Sequence, residues 1–376
     1  MRSARIAVSA VFFLHGFASG MWIARIPAVQ ESLGLSVGAL GLALLGGGLG
    51  SLLALLPGGA LAARYGSRQV ALWAPVPACL ALALLALANN GLTLFAALVL
   101  WGASASALDV AMNAQGSAIE QRRERPVMSS LHGLWSVGTL VGAALAAVVA
   151  GLGISVRLHL LVAAPLVLVA MLVAARPFVT GDGGQSVRTA FVWPRGSLMA
   201  LAVLAFCAVG IEGGMYDWCG VYLRRMLDAP EVTAASAPTF FSAAMAIGRF
   251  GGDHLTMRFP EPVLARGCAL FAALGVGAII LAPSAVVVFG GLVAVGLGLS
   301  ILVPLVFSAA GRSTIMPAGT AIAAVAALGY GAFLIGPPTI GLAAELVTLR
   351  GALTIFLVLA ALIFLLAPAI APRSES

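Results

Sequence analysis

Apolar stretches separated by short polar clusters run along the whole chain. Their length of about 20 residues is what an α-helix needs to cross a bilayer, so the pattern predicts membrane-spanning helices. The twelve predicted spans are residues 6–27, 37–60, 70–88, 93–118, 128–151, 157–175, 197–223, 236–253, 263–282, 286–309, 319–346 and 351–370. The weakest pattern is that of 236–253, because Arg249 and Asp253 lie at its end.

The longest polar segment, RPFVTGDGGQSVRTAFVWPRG, lies in the middle of the chain at residues 176–196. It separates six spans from six, and predicts a six-helix bundle over 1–175, a cytoplasmic loop over 176–196 and a second bundle over 197–376. The N-terminal MRSARIAVSAVFFLHGF resembles a signal peptide, but the apolar stretch continues without a clear small-residue cleavage site. We therefore interpret it as a retained first helix.

The composition agrees with a chain that lies mostly in the bilayer. Hydrophobic residues make up 61% of the 376 residues, charged residues make up 9%, and the mean hydropathy is +1.10. Soluble proteins average about 45–50% apolar and about 25% charged residues. Membrane β-barrels show alternating segments of about 10 residues rather than long apolar runs. The predicted fold class is therefore an all-α integral membrane protein with twelve transmembrane helices.

The basic residues are distributed unevenly between the two sides of the predicted spans. All 20 are arginines, and with both termini in the cytoplasm 15 of them lie at cytoplasmic ends and five at outer ends. The outer five are Arg25, Arg157, Arg224, Arg225 and Arg350. Cytoplasmic loops carry an excess of Lys and Arg, so this bias predicts a multi-pass protein with both termini in the cytoplasm.

The two halves of the chain repeat each other at an offset of 194 residues. Gly16, Gly20, Met21 and Trp22 coincide with Gly210, Gly214, Met215 and Tyr216, and Arg64 coincides with Arg258. Repeated halves of this kind are typical of transporters, whose binding site lies near the midplane between the halves.

A motif after the second span carries a family resemblance. Residues 59–68, GALAARYGSR, follow the pattern G-x-L-x-D-R-x-G-R-R, although Ala63 and Ser67 replace its acidic residue and one of its basic residues. With the twelve spans and the repeat, the whole chain resembles the major facilitator superfamily. The resemblance implies alternating-access transport rather than an enzyme. It also implies a conformational latch at Gly59, Arg64 and Arg68 and, from GRFGGDHLTMRF (248–259), at Arg249, Asp253 and Arg258.

Three further stretches resemble a narrower branch. LDVAMNAQ (108–115), LHGLWSVG (131–138) and EGGMYDWCGVYLR (212–224) look like the bacterial YbjJ-like proteins, which are more distantly similar to fucose–proton symporters. This resemblance implies a bacterial inner membrane and a fourth-helix carboxylate that takes part in proton coupling. The G-P pair of the family's antiporters is absent from 138–153, which favours symport.

In the superfamily, helices 1, 4, 7 and 10 line the cavity, and polar residues are found on single faces of three of the corresponding spans. Ser106, Asp109 and Asn113 share one face of span 4. The acids Asp109 and Glu212 lie deep in apolar runs, where carboxylates usually face a bundle interior or a wet cavity. Both are therefore predicted proton-coupling residues. The alternative for each is a static polar contact, with Glu212 paired to an arginine.

Other polar and aromatic residues are candidates for binding a solute. They are His15, Trp22, Asn113, Gln115, His132, Trp135, Tyr216 and Asp217. For each, packing or helix–helix hydrogen bonding is the alternative, and Asp217 could pair with Arg224. Trp218 is expected to anchor at the membrane interface, and Arg25 to extend its charged group towards the outer surface.

The predicted function is secondary active transport of a small polar solute by alternating access, most simply as proton-coupled symport. A proton-coupled exporter, a non-transporting membrane sensor on the same fold, and an intramembrane enzyme are the alternatives. A neutral solute such as a sugar suits the candidate residues, and a cation also suits the acids. No nucleotide-binding, metal-binding or other cofactor motif is present in the sequence. The expected partners are the solute, protons and the lipid bilayer, without nucleic acid, and the expected state is a monomer.

Overall fold

The computed structural model describes residues 2–123, 127–180 and 193–371, and its secondary structure over these ranges is helical. The helices are α1 (Arg2–Ser32), α2 (Val37–Tyr65), α3 (Ser67–Trp73), α4 (Pro75–Leu87), α5 (Gly91–Arg123), α6 (Met128–Gly151), α7 (Val156–Ala175), α8 (Ser197–Leu227), α9 (Glu231–Thr256), α10 (Glu261–Ile280), α11 (Ala285–Leu299), α12 (Leu302–Gly311), α13 (Ala318–Ala352) and α14 (Thr354–Leu366), which continues into a 3₁₀ turn (Ala367–Ile370).

These helices account for the twelve predicted spans, two of which are broken by proline. α3 and α4 form the third span, and the break falls directly before Pro75, which has no N–H to donate. α11 and α12 form the tenth span, and the break between them begins at Ser300. Pro304, four residues further on, has no N–H that could bond the carbonyl of Ser300. Within the described residues, ten helical segments are long and apolar enough to cross a membrane. α9, from the weakest predicted span, is not among them, and Thr354–Ile370 is a shorter apolar helix.

The internal repeat is visible in the helix boundaries. α2 and α9 begin at Val37 and Glu231, and α5 and α11 begin at Gly91 and Ala285, so that each pair is 194 residues apart. The fold is therefore two related six-helix bundles, which we call the N half (α1–α7) and the C half (α8–α14). Each half has an even number of crossings, so both termini lie at one end of the molecule. We call that end the terminal end and the opposite one the distal end.

The motif at 59–68, most of which falls between the predicted spans 37–60 and 70–88, is almost entirely helical. α2 extends to Tyr65 and α3 begins at Ser67, so Gly66 alone separates them. Gly66 has a φ of +89°, a conformation that costs a residue with a side chain far more than it costs glycine. The motif is thus a helix-to-helix corner rather than a flexible connection.

Small residues bring the two halves together along two helix pairs. α6 packs against α9 through a cluster that contains Ala146 and Ala235. α2 packs against α13, where Gly41 lies against Pro337 and Gly341 so closely that an added Cβ would clash with their backbone. Without a strong hydrophobic driving force in lipid, such close backbone approach is a main source of helix association.

Candidate functional site

A cavity of about 400 Å³ lies between the halves near the middle of the bundle. Its walls come from α1, α2, α5 and α6 of the N half and from α8, α9, α12 and α13 of the C half. The residues singled out from the sequence that line it are His15, Trp22, Asp109, His132, Trp135, Glu212, Tyr216, Asp217 and Arg249. The tertiary structure therefore brings together side chains from five separate helices into one polar site in an apolar protein.

Asp109 occupies the α5 wall of this cavity without a basic partner. Its Oδ1 accepts a hydrogen bond from Asn113 Nδ2 at 3.0 Å, and Asn113 Oδ1 accepts one from His132 Nε2 at 3.2 Å. Among the described residues, no arginine forms an ion pair with it. Asn113 is not itself in the cavity wall, so its role here is to hold the Asp109 carboxylate.

Glu212, in contrast, is charge-compensated. Its Oε1 lies 3.1 Å from Arg249 Nη2, while Arg249 Nη1 donates to Ser136 Oγ at 2.5 Å. Ser136 belongs to α6, so Arg249 joins the two halves at mid-depth. The pairing of Glu212 with an arginine is the arrangement that the static alternative described. Arg249 does not lie at a helix end as the sequence indicated, because α9 continues for seven residues beyond it.

His15 and Trp135 form a pair across α1 and α6. Trp135 Nε1 donates to His15 Nδ1 at 3.2 Å. A neutral imidazole that accepts at Nδ1 carries its hydrogen on Nε2. That Nε2 is buried and has no hydrogen-bond partner among the described residues. His15 thus lines the cavity, while its unpaired Nε2 is enclosed by protein atoms.

Tyr216 is fixed by two contacts of its own. Its hydroxyl lies 3.2 Å from Ser242 Oγ, and its ring packs edge-on against Phe241 with 4.8 Å between ring centroids.

The chain also places aromatic residues in the cavity that the sequence analysis missed, namely Trp101, Phe307, Tyr330 and Phe333. Of these four, Tyr330 could have been found from the sequence, because its hydroxyl lies in an otherwise apolar stretch of α13.

Gln115 does not lie in the cavity, which corrects its assignment as a solute-binding residue. It is fully buried, and its amide bonds Ser67 Oγ at 2.7 Å and both backbone groups of Val179 at 2.8 Å. Six residues, or about one and two-thirds helical turns, separate it from Asp109, so the two point to different sides of α5. Gln115 joins the terminal ends of α5 and α3 to the segment after α7.

Three expectations about outer-end residues are also wrong. Arg224 pairs with Glu31 at 2.6 Å rather than with Asp217. Trp218 is completely buried and is not an interfacial anchor. Arg25 is completely buried as well, bonded to Glu231 at 2.7 Å and to the carbonyl of Ile154. For the two arginines, an ion pair between the halves decides where the side chain lies.

Apart from Arg249, the predicted latch residues show few contacts in this structure. Arg64 lies over the ring of Tyr65 at 5.1 Å, and Arg68 Nε donates to the carbonyl of Arg176 at 3.2 Å within the N half. Gly59 lies within α2 and Arg258 is exposed, whereas the side chain of Asp253 is outside the described part of the structure. Their role as a latch stays a prediction. Residues 181–192 of the central segment likewise lie outside the described residues.

Comparison with known proteins gives consistent results over nearly the whole chain. Residues 8–318 match the model of the Major Facilitator Superfamily. An MFS-type transporter of Yersinia pestis is 35% identical over 92% of this chain and 90% of its own length. A transporter of Sinorhizobium fredii is 36% identical over 96% of both chains.

Solved structures of the same fold are also similar at low sequence identity. The nucleoside transporter NupG superposes with a TM-score of 0.75 at 13% identity, covering 98% of both chains. A bacterial homologue of the lysosomal transporter Spinster, in an inward-facing and occupied conformation, gives 0.73 at 15%, again over 98% of both.

Proposed function

Because the chain belongs to the Major Facilitator Superfamily and is a membrane transporter, we propose that it carries a small polar solute by proton-coupled symport, with Asp109 as the proton site. The observation that supports this is the asymmetry of the cavity. Glu212 has Arg249 as its counter-ion, whereas Asp109 is held by Asn113 alone. A buried carboxylate without a counter-ion is costly in its charged form, and protonation removes that cost.

The proposed cycle uses this difference. Asp109 binds a proton while the cavity is open, the solute binds beside it, and the neutralised cavity can then close around both. Opening to the other side hydrates Asp109 again and favours release of the proton. Arg249 bonds both Glu212 in the C half and Ser136 in the N half. Its bond to Ser136 would therefore break when the halves separate at the cavity.

The decisive variant is Asp109→Asn, which keeps the shape and mimics the protonated acid permanently. We expect exchange of labelled for unlabelled solute in proteoliposomes to survive, because exchange needs no net proton movement. Uphill accumulation driven by a pH gradient should be lost. The solute for this assay is the one that gives the largest thermal shift in a metabolite panel, since ligands that bind only the folded state stabilise it.

Glu212→Gln is the matched control. It removes the counter-ion of Arg249 and should lower the melting temperature, but proton-driven accumulation per folded molecule should persist. If Asp109→Asn accumulates solute against its gradient at the wild-type rate, proton coupling through Asp109 is wrong. Accumulation in the direction opposite to the proton gradient would establish the exporter instead.

The arginine distribution supports an orientation with both termini in the cytoplasm of a bacterial inner membrane. A phosphatase that is active only outside the cytoplasm, fused after Ser376, should then be silent. The same fusion in the segment between α1 and α2, at residues 33–36, should be active. The reverse pattern would contradict the orientation without affecting the assignment of Asp109.

A further inference from the structure

The described cavity wall contains three carboxylic acids and one arginine, beside the two histidines His15 and His132. The acids are Asp109, Glu212 and Asp217, and the arginine is Arg249. Glu212 and Arg249 neutralise each other as an ion pair. Two carboxylates therefore remain, and the proposed proton on Asp109 neutralises only one of them. Asp217 is the acid that the proton-coupling cycle leaves uncompensated.

Asp217 has no partner among the residues that the structure describes. It forms no hydrogen bond and no ion pair with any of these described residues. Three arginines of the distal end bond elsewhere: Arg224 to Glu31, Arg25 to Glu231, and Arg225 to the carbonyl of Leu35. A carboxylate in the wall of an intramembrane cavity is rarely left in this state unless something else binds it.

The surroundings of this acid favour a cation. Several aromatic side chains line the same cavity, and the face of an aromatic ring attracts positive charge. They include Trp22, Trp101, Trp135, Tyr216, Tyr330 and Phe333. An anionic solute would be repelled by the Asp217 carboxylate, and a neutral one would supply no positive charge to pair with it.

We infer that the transported solute is a small organic cation, a protonated amine, and that Asp217 binds its ammonium group. The inference rests on the proposed transport function and gives the two acids separate tasks: Asp109 takes the proton and Asp217 takes the charged group of the solute. A neutral sugar, which the sequence alone allowed equally well, leaves the Asp217 charge without a partner.

The test compares matched pairs of probes that differ only in an amine or a hydroxyl group. Glucosamine with glucose, and phenethylamine with 2-phenylethanol, are suitable pairs. Thermal shift and calorimetry on the purified full chain measure binding directly, without transport. We expect an amine to stabilise the wild type and its hydroxyl partner to have at least about tenfold lower affinity, as for loss of a desolvated charge pair.

Three variants separate this inference from the proton-coupling proposal. Asp217→Asn should lose the preference for the amine, Asp217→Glu should retain it, and Asp109→Asn should retain it because that acid serves the proton. Because Asp217→Glu keeps the charge, it tests the inference even if Asp217→Asn folds poorly. Equal binding of amine and hydroxyl partners by the wild type would overturn the inference, as would an undiminished preference in Asp217→Asn. Either result would leave the Asp109 flux experiment unaffected.

Discussion

The ion pairs at the two ends of the molecule differ in whether they join the two halves. Of the four ion pairs in the described residues, the two that join the halves both lie at the distal end, Arg25–Glu231 and Arg224–Glu31. At the terminal end, Arg312 pairs with Glu261 inside the C half. The difference shows that the distal end is closed by bonds that must break when the halves separate, whereas the terminal-end pair can persist through such a movement.

Packing between the halves follows the same division. α6 and α9 stay in contact from Gly151 against Val232 near the distal end to Gly133 against Phe250 near the terminal end. Close contacts of α2 glycines with α13 are confined to the distal half of α2, where the last is Gly48 against Phe333. Beyond that point the cavity-lining Leu52 and Tyr330 are exposed. The cavity thus opens towards the terminal end, between α2 and α13. With cytoplasmic termini this is an inward-facing state.

The two distal ion pairs differ in burial. The Arg25 side chain is 0% exposed and its partner Glu231 is 43% exposed, whereas Arg224 and Glu31 are 25% and 39% exposed. Removing one partner of a fully buried pair costs about 3–5 kcal/mol, because the other charge stays buried and unpaired. Exposed pairs contribute about 0.2–1 kcal/mol. The buried pair should therefore contribute most to distal closure.

The largest effect is expected from Glu231→Gln, which leaves Arg25 buried without its counter-ion. Because Glu231 is partly exposed, we expect about half of the fully buried cost, about 2 kcal/mol, which is roughly a 30-fold shift away from the closed distal state. Spin labels on Leu152→Cys and Leu281→Cys, both exposed near the distal end, would measure the separation. Cys79, Cys207 and Cys219 are buried, so only Cys268 needs replacement.

Arg312→Ala is the matched control for this measurement, since it removes an arginine ion pair that stays within one half. It should leave the distance between the labels unchanged. An equal widening in both variants would mean that the distal separation reflects general destabilisation and not the Arg25–Glu231 bond.

A smaller effect is expected from Glu31→Gln, which breaks the exposed pair with Arg224. The expected change is about 0.5 kcal/mol, or roughly a twofold shift in the same label distance distribution, and it should diminish at high salt. The charge-reversed double variant Glu31→Arg with Arg224→Glu should restore the wild-type distribution. If Glu31→Gln opens the distal end more than Glu231→Gln, burial does not determine the strength of this closure.

The sequence predicted much of the fold because the bilayer constrains each spanning segment in a way that can be read along the chain. A helix must be apolar over the thickness of the bilayer, and its ends are marked by polar residues wherever they lie in the bundle. That is why the boundaries of most spans and the 194-residue repeat could be read from the chain. The extent of the second span was misjudged, since a helix can continue beyond the bilayer to Tyr65.

The candidate site was only partly predictable from helical faces. Asp109, Glu212 and His15 were found because a polar residue deep in an apolar run must face protein or a cavity. Gln115 satisfied the same criterion and yet bonds Ser67 and Val179 in the interior of the N half. One sequence cannot distinguish these two outcomes, because both satisfy a buried polar group.

The sequence by itself determined which residues cross the membrane, that the two halves repeat, and that a few acids lie in an apolar environment. Only the tertiary structure decided that Arg249 neutralises Glu212 and that Arg25 reaches Glu231 across the two halves. The physical reason is the distance along the chain over which each property acts. Hydropathy and helical periodicity are local properties of the chain, whereas the partner of a buried charge depends on how helices distant in sequence are rotated and packed. Arg25 and Glu231 are 206 residues apart, and no local pattern could have paired them.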